Sequence, residues 1–151
     1  MISPDEVADS LRAHLHSRGY GPQPGATGIE IAAFESRHSV RMPADLREFF
    51  LRVNGTTEFA DFLLTRFWPL EEVSPIIPST SAGQSIRYFV FADQMIFAPD
   101  FAISLDDPSA KVVRYWDGFS RIEPVCSSFA EFVEIFMRDP WDVHVDSAAP
   151  S

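Results

Sequence analysis

Met42-Pro43-Ala44-Asp45-Leu46-Arg47-Glu48-Phe49-Phe50-Leu51-Arg52-Val53-Asn54-Gly55 is the stretch on which the fold turns. Proline is tolerated in the first turn of a helix, where its missing N–H would have no partner, so a helix is expected from Pro43 to about Val53. Leu46, Phe49, Phe50 and Val53 recur at i, i+3, i+4 and i+7, which makes one apolar stripe. Asn54 and Gly55 both tolerate left-handed backbone, so the pair is expected to end that helix. Upstream of this stretch apolar residues recur with a helical period. Downstream they fall in short aromatic and branched runs that read as strands.

Towards the N-terminus, two further helices are predicted. Pro4 to about Ser17 carries Val7, Leu11 and Leu15 on one stripe, with Gly19 as its stop. Gly28 to His38 carries Ile31 and Phe34 on one face, with Ile29 and Ala33 beside them. Gly19–Gly25, rich in Gly and Pro, reads as a connector. Three helix starts fit the S/T-x-x-E capping box: Ser3-Pro4-Asp5-Glu6, Thr27-Gly28-Ile29-Glu30 and Ser128-Phe129-Ala130-Glu131.

Towards the C-terminus, strands are expected at Phe62–Leu70, Ile86–Ala92, Phe101–Leu105, Lys111–Trp116 and Phe119–Val125. Asp117-Gly118 suits a hairpin turn between the last two, and Pro124 marks an edge or strand end. Ser79–Ser85 reads as a polar loop. A last helix, Phe129 to about Arg138, has Phe129, Phe132, Val133 and Phe136 as its stripe. The expected fold is α+β: N-terminal helices and a C-terminal helix packed on a mostly antiparallel sheet. A single domain is expected over residues 1–139, followed by a tail over 140–151.

The chain has 151 residues, 12 Lys and Arg against 22 Asp and Glu, a net charge of −10 and fourteen Phe. Such a charge disfavours nucleic acid and anionic membranes, both of which attract Lys and Arg. It favours encounter with basic partners. One cysteine, Cys126, excludes an internal disulfide framework, and no apolar run is long enough to span a bilayer. The expected location is the cytoplasm.

Catalytic and metal-binding patterns are not found. There is no G-x-S-x-G elbow, phosphate loop, C-x-x-C or H-E-x-x-H. His14 and His16, two apart on a helix, do not share a face. No enzymatic activity, cofactor or metal is therefore expected. Acidic residues are unevenly spread: Glu58, Asp61, Glu71 and Glu72 in one segment, Asp93, Asp100, Asp106 and Asp107 in another. If the sheet brings these segments together they form a partner-binding face, with Trp68 as a candidate aromatic anchor.

The ordered set of motifs resembles the SUKH superfamily, named in part for a yeast cell-wall synthesis regulator. Ile31-Ala32-Ala33-Phe34-Glu35 is similar to its helix ending in Phe-Glu. Met42-Pro43-Ala44-Asp45-Leu46-Arg47 is similar to its Leu-Pro-x-Asp-Leu-Arg signature, which leads into Asn54-Gly55. Phe67–Val73, Phe89–Asp93, Phe101–Leu105 and Ser128–Phe132 resemble its later blocks, over roughly Ile29 to Met137. The chain departs from the family at Gln94-Met95-Ile96, where members often carry a Gly-rich turn. The resemblance implies an α+β fold in which Phe34, Glu35, Pro43, Leu46, Asn54, Gly55 and Phe129 are structural. It also implies a non-enzymatic immunity protein that binds a cognate bacterial toxin, such as a nuclease. The alternative is a general interaction scaffold or regulatory module of the cell-wall-regulator type. Either reading expects a protein partner and a monomer or weak homodimer.

Overall fold

A computed structural model describes residues 3–77, 86–96, 98–107, 109–116 and 121–143. The Ser79–Ser85 loop, the Asp117-Gly118 turn, His144 and residues beyond it lie outside them. Four α-helices are present among the described residues: α1 (Pro4–Ser17), α2 (Gly28–His38), α3 (Ala44–Arg52) and α4 (Phe129–Arg138). The first two and the last have the predicted bounds. The strands are β1 (Pro22–Pro24), β2 (Val53–Thr56), β3 (Thr65–Phe67), β4 (Ser74–Ile76), β5 (Tyr88–Gln94), β6 (Asp100–Ile103), β7 (Val112–Trp116) and β8 (Arg121–Cys126). All pairings are antiparallel. The larger sheet runs β3-β5-β6-β7-β8, with β4 pairing the start of β5 on the edge where β3 pairs its end. The α+β architecture is as expected.

The helix starts use the predicted residues in three different ways. At α2 the capping box is complete: Glu30 N–H donates to Thr27 Oγ1 and Thr27 N–H donates to the Glu30 carboxylate. At α4 it is half made. Glu131 N–H donates to Ser128 Oγ, but the Glu131 carboxylate turns to the Ser127 hydroxyl. At α1 the Ser3 side chain makes no capping bond, and Pro4 in the first turn leaves one fewer donor to satisfy.

Two expectations are corrected around Asn54-Gly55. The pair does not terminate α3 with a left-handed cap. Val53 is already extended (φ −138°, ψ 119°), and the chain runs straight into β2. Gly55 does adopt φ +85°, but inside that strand. The partner strand is β1, in the segment read as a connector, with Pro22 opposite Thr56 and Pro24 opposite Val53. A three-residue strand with two prolines has too few donors to announce itself as one.

The expected strand Phe62–Leu70 shrinks to Thr65–Phe67. Asp61 Oδ1 accepts from Leu63 N–H (2.9 Å), Thr65 N–H (3.3 Å) and the Thr65 hydroxyl (3.1 Å). That local capture of the backbone competes with ladder pairing, and Leu64 takes φ +57°. Ile29, expected beside the buried face of α2, is 83% exposed. Beyond α4 the expected tail instead begins with a 3₁₀ turn at Pro140–Val143. Val143 is buried, its carbonyl accepts from Arg114 Nη1 (3.3 Å), and the Pro140 carbonyl accepts from Gln94 Nε2 (3.0 Å). The packed chain therefore reaches at least Val143.

The main core lies between the helices and one face of the larger sheet. Phe129, Phe132 and Phe136 of α4 meet Phe67, Phe91 and Phe101 of the sheet, mostly edge to face, with ring centroids 5.1–6.3 Å apart. Phe49 joins them against Phe67 and Phe129. Each buried Phe removes apolar surface from water at roughly 25 cal/mol per Å².

Candidate partner-binding surface

The two acidic segments meet only in part. Register sets Arg66 opposite Asp93 and Asp93 opposite Asp100. Strand alternation turns these residues away from the helices, because their neighbours Phe67, Ala92 and Phe101 face the core. Glu72 joins this row through Arg66 Nη2 at 2.8 Å. Trp68 lies on the same face, half-buried against Val90, Ala102 and Val113. Burial pushes the Asp93 carboxyl above its ordinary range. The nearby Trp68 indole and Arg66 guanidinium offset that only in part. Neither Asp93 Oδ1 nor Trp68 Nε1 closes a hydrogen bond.

The other acidic residues lie elsewhere. Asp106 forms a two-pronged pair with Arg87, at 3.0 and 2.7 Å, which holds its carboxyl below the usual range. Asp107 accepts from Ser109 N–H, and this contact lowers its carboxyl too. Glu71 is exposed beside a shallow groove lined by Glu30, Phe34, Arg37 and Asn54. Glu58 is exposed near Tyr20, to whose carbonyl its N–H donates (2.9 Å). Asp61 Oδ2 accepts from the Tyr20 hydroxyl at 2.6 Å. With its other oxygen already engaged, Asp61 braces a loop. Burial and that bond push the Tyr20 phenol up.

The motif residues interlock. Glu35 Oε2 accepts from Met42 N–H (2.8 Å), and Pro43 stands at the start of α3. Leu46 is buried, and Phe34 meets Phe89 edge to face. Asn54 Oδ1 accepts from Leu70 N–H (2.6 Å). A side chain at Gly55 would put its Cβ 2.6 Å from Pro69 N. Asp45 Oδ2 accepts from Ala130 N–H (2.9 Å), so it caps α4 across the fold while Phe129 fills the core beside it.

Groups that often carry chemistry are turned inward. Cys126 Sγ donates to the Ser128 carbonyl (3.3 Å), and burial pushes its thiol up to about 12. A thiol so disposed is a poor nucleophile. His14 rests edge-on to Phe136, and His38 contacts Phe34 and Phe89. Burial lowers the proton affinity of both. Among the described residues no group of three or more His, Cys, Asp or Glu could hold a metal ion, and no helix is long and apolar enough to cross a membrane.

One surface escapes sequence reasoning. Phe59, Phe62, Met95, Ile96 and Trp141 are all exposed. In the sequence the two Phe look like core residues.

The motif residues thus hold the α+β scaffold together. The chain belongs to the SMI1/KNR4 family (SUKH-1), whose family model matches residues 25–135. No curated protein matches it.

Proposed function

We propose that this chain is a non-enzymatic immunity protein that works in the cytoplasm, binding and neutralising a cognate bacterial toxin, a nuclease for example, through an acidic surface. Family membership over residues 25–135 carries the reading, because such a role is compatible with that family. The net charge of −10 supports it. A nuclease must hold a polyanion with a basic surface, and an acidic protein is steered onto the same surface. The row Glu72, Asp93 and Asp100 is the acidic surface we assign to that contact, and exposed Glu58, Glu71 and Asp107, placed elsewhere, add to the long-range attraction. Trp68 stands beside the row.

The test is co-production. Cells making the toxin encoded beside this chain survive when this chain is present and die when it is absent. The two purified proteins associate more slowly as salt rises. Absence of both rescue and binding overturns the proposal. Several unrelated partners in place of one stoichiometric partner would favour a general scaffold.

A further inference from the structure

We infer that the patch formed by Phe59, Phe62, Met95, Ile96 and Trp141 is the docking centre for the toxin. Its partner presents there an apolar side chain ringed by Arg or Lys. This rests on the toxin-binding reading above.

The five side chains come from three segments that the fold ties together. The Phe62 and Trp141 rings stack with centroids 6.4 Å apart. Met95 N–H donates to the Leu64 carbonyl (3.2 Å) and Ile96 N–H to the Leu63 carbonyl (3.1 Å). Gln94 Nε2 holds the Pro140 carbonyl. Phe62 is 68% exposed, Met95 58%, Phe59 44%, Ile96 40% and Trp141 37%. Single exposed apolar residues are ordinary, but a set gathered by these backbone bonds around two stacked aromatics marks an interaction site. The patch is also held in shape. Asp61 clamps the loop that carries Phe59 and Phe62 through Leu63, Thr65 and Tyr20. Little ordering then remains to be done on binding.

Charge selects the occupant. Glu58 precedes Phe59, Asp139 Oδ1 accepts from Trp141 N–H (2.9 Å), and Asp142 follows Trp141. Across residues 58–64, 93–96 and 138–143 the one basic residue is Arg138, which pairs with Asp142 at 3.8 Å. A second copy docked about a twofold axis would set these carboxylates against their own images. An anionic lipid surface is repelled for the same reason. A basic protein with an apolar centre fits both parts.

The probe is the protein encoded beside this chain, purified with its activity abolished. Affinity is measured by calorimetry, and association rate by stopped flow over a range of salt, for wild type, Phe62→Ser, Trp141→Ser, Glu58→Lys combined with Asp139→Lys, and Ile29→Ser. The last alters an exposed apolar residue outside the patch. Circular dichroism and melts confirm that each variant is folded. The expected result is a loss of roughly thirtyfold or more for Phe62→Ser and Trp141→Ser. The charge reversal slows association and flattens its salt dependence, and Ile29→Ser binds as wild type does. Unchanged affinity for the patch variants, with wild type binding, overturns the docking centre and leaves the immunity reading standing. Wild type that neither binds the probe nor rescues cells overturns both. Self-association of wild type that Phe62→Ser abolishes overturns the choice of occupant.

Discussion

Phenylalanine occupies two contrasting regions of this molecule. Of the fourteen Phe, residues 97 and 119 lie outside the described residues. Ten of the remaining twelve are buried, and Phe59 and Phe62 are exposed. The buried ten sit on helices and strands whose repeat turns every ring to one side. Phe132, for example, meets Phe67, Phe91, Phe101 and Phe129. The exposed pair sits on a loop closed by the Asp61 carboxylate, where the backbone has no repeat and the rings point outward. Residue type is the same in both regions, and backbone periodicity decides which Phe stabilises the fold and which is left for a partner.

The sharpest break of that contrast is Phe132→Ala, which should cost about 3–5 kcal/mol because a packed core collapses poorly around a missing ring. A urea melt showing almost no loss would mean that the aromatic core is not continuous across α4. Phe49→Ala should behave alike. Gly55→Ala comes next, at no less than about 2 kcal/mol, since it combines a left-handed φ with a Cβ pressed on Pro69. A melt equal to wild type would show that the approach of Gly55 to Pro69 yields easily.

Asp93→Asn should act in the opposite direction. The folded-state pKa of Asp93 is raised, so the fold binds its proton more tightly than the unfolded chain does. Ionisation therefore costs stability, fully above the raised pKa and not at all below the ordinary aspartate range. The asparagine variant should melt higher than wild type at pH 7, and the gap should close as pH falls through that window. A variant that is less stable at pH 7 would mean that the carboxylate is better paired than the structure shows. The smallest effect is Phe62→Ser, with stability unchanged within about 0.5 kcal/mol. A larger loss in a chemical melt would move Phe62 into the first region and remove the contrast.

Much of the scaffold was legible because its signals are local. α1, α2 and α4 follow from apolar stripes, Pro4, Gly19, Thr27-Glu30 and Ser128. β1 and β2 were not legible, because their pairing joins residues about thirty positions apart and β1 is mostly proline. The candidate surface was less readable still. Sequence spacing showed where carboxylates are plentiful. It did not show that Arg87 occupies Asp106, that Arg66 pairs with Glu72, or that Asp61 serves a loop. Those facts depend on register and on side chains from remote segments. Phe59 and Phe62 were misleading for the same reason, since nothing local separates an outward aromatic from a core one.

The bond from Ala130 to Asp45 spans 85 residues of chain. During synthesis the acid that closes the first turn of α4 is made long before the helix it serves. Phe49 must therefore wait for its contact with Phe129 until α4 has been made. Long-range closure of this kind slows folding. It also makes completion of α4 the event that seals this side of the core, so truncation within α4 would leave the residues before it open to aggregation and proteolysis.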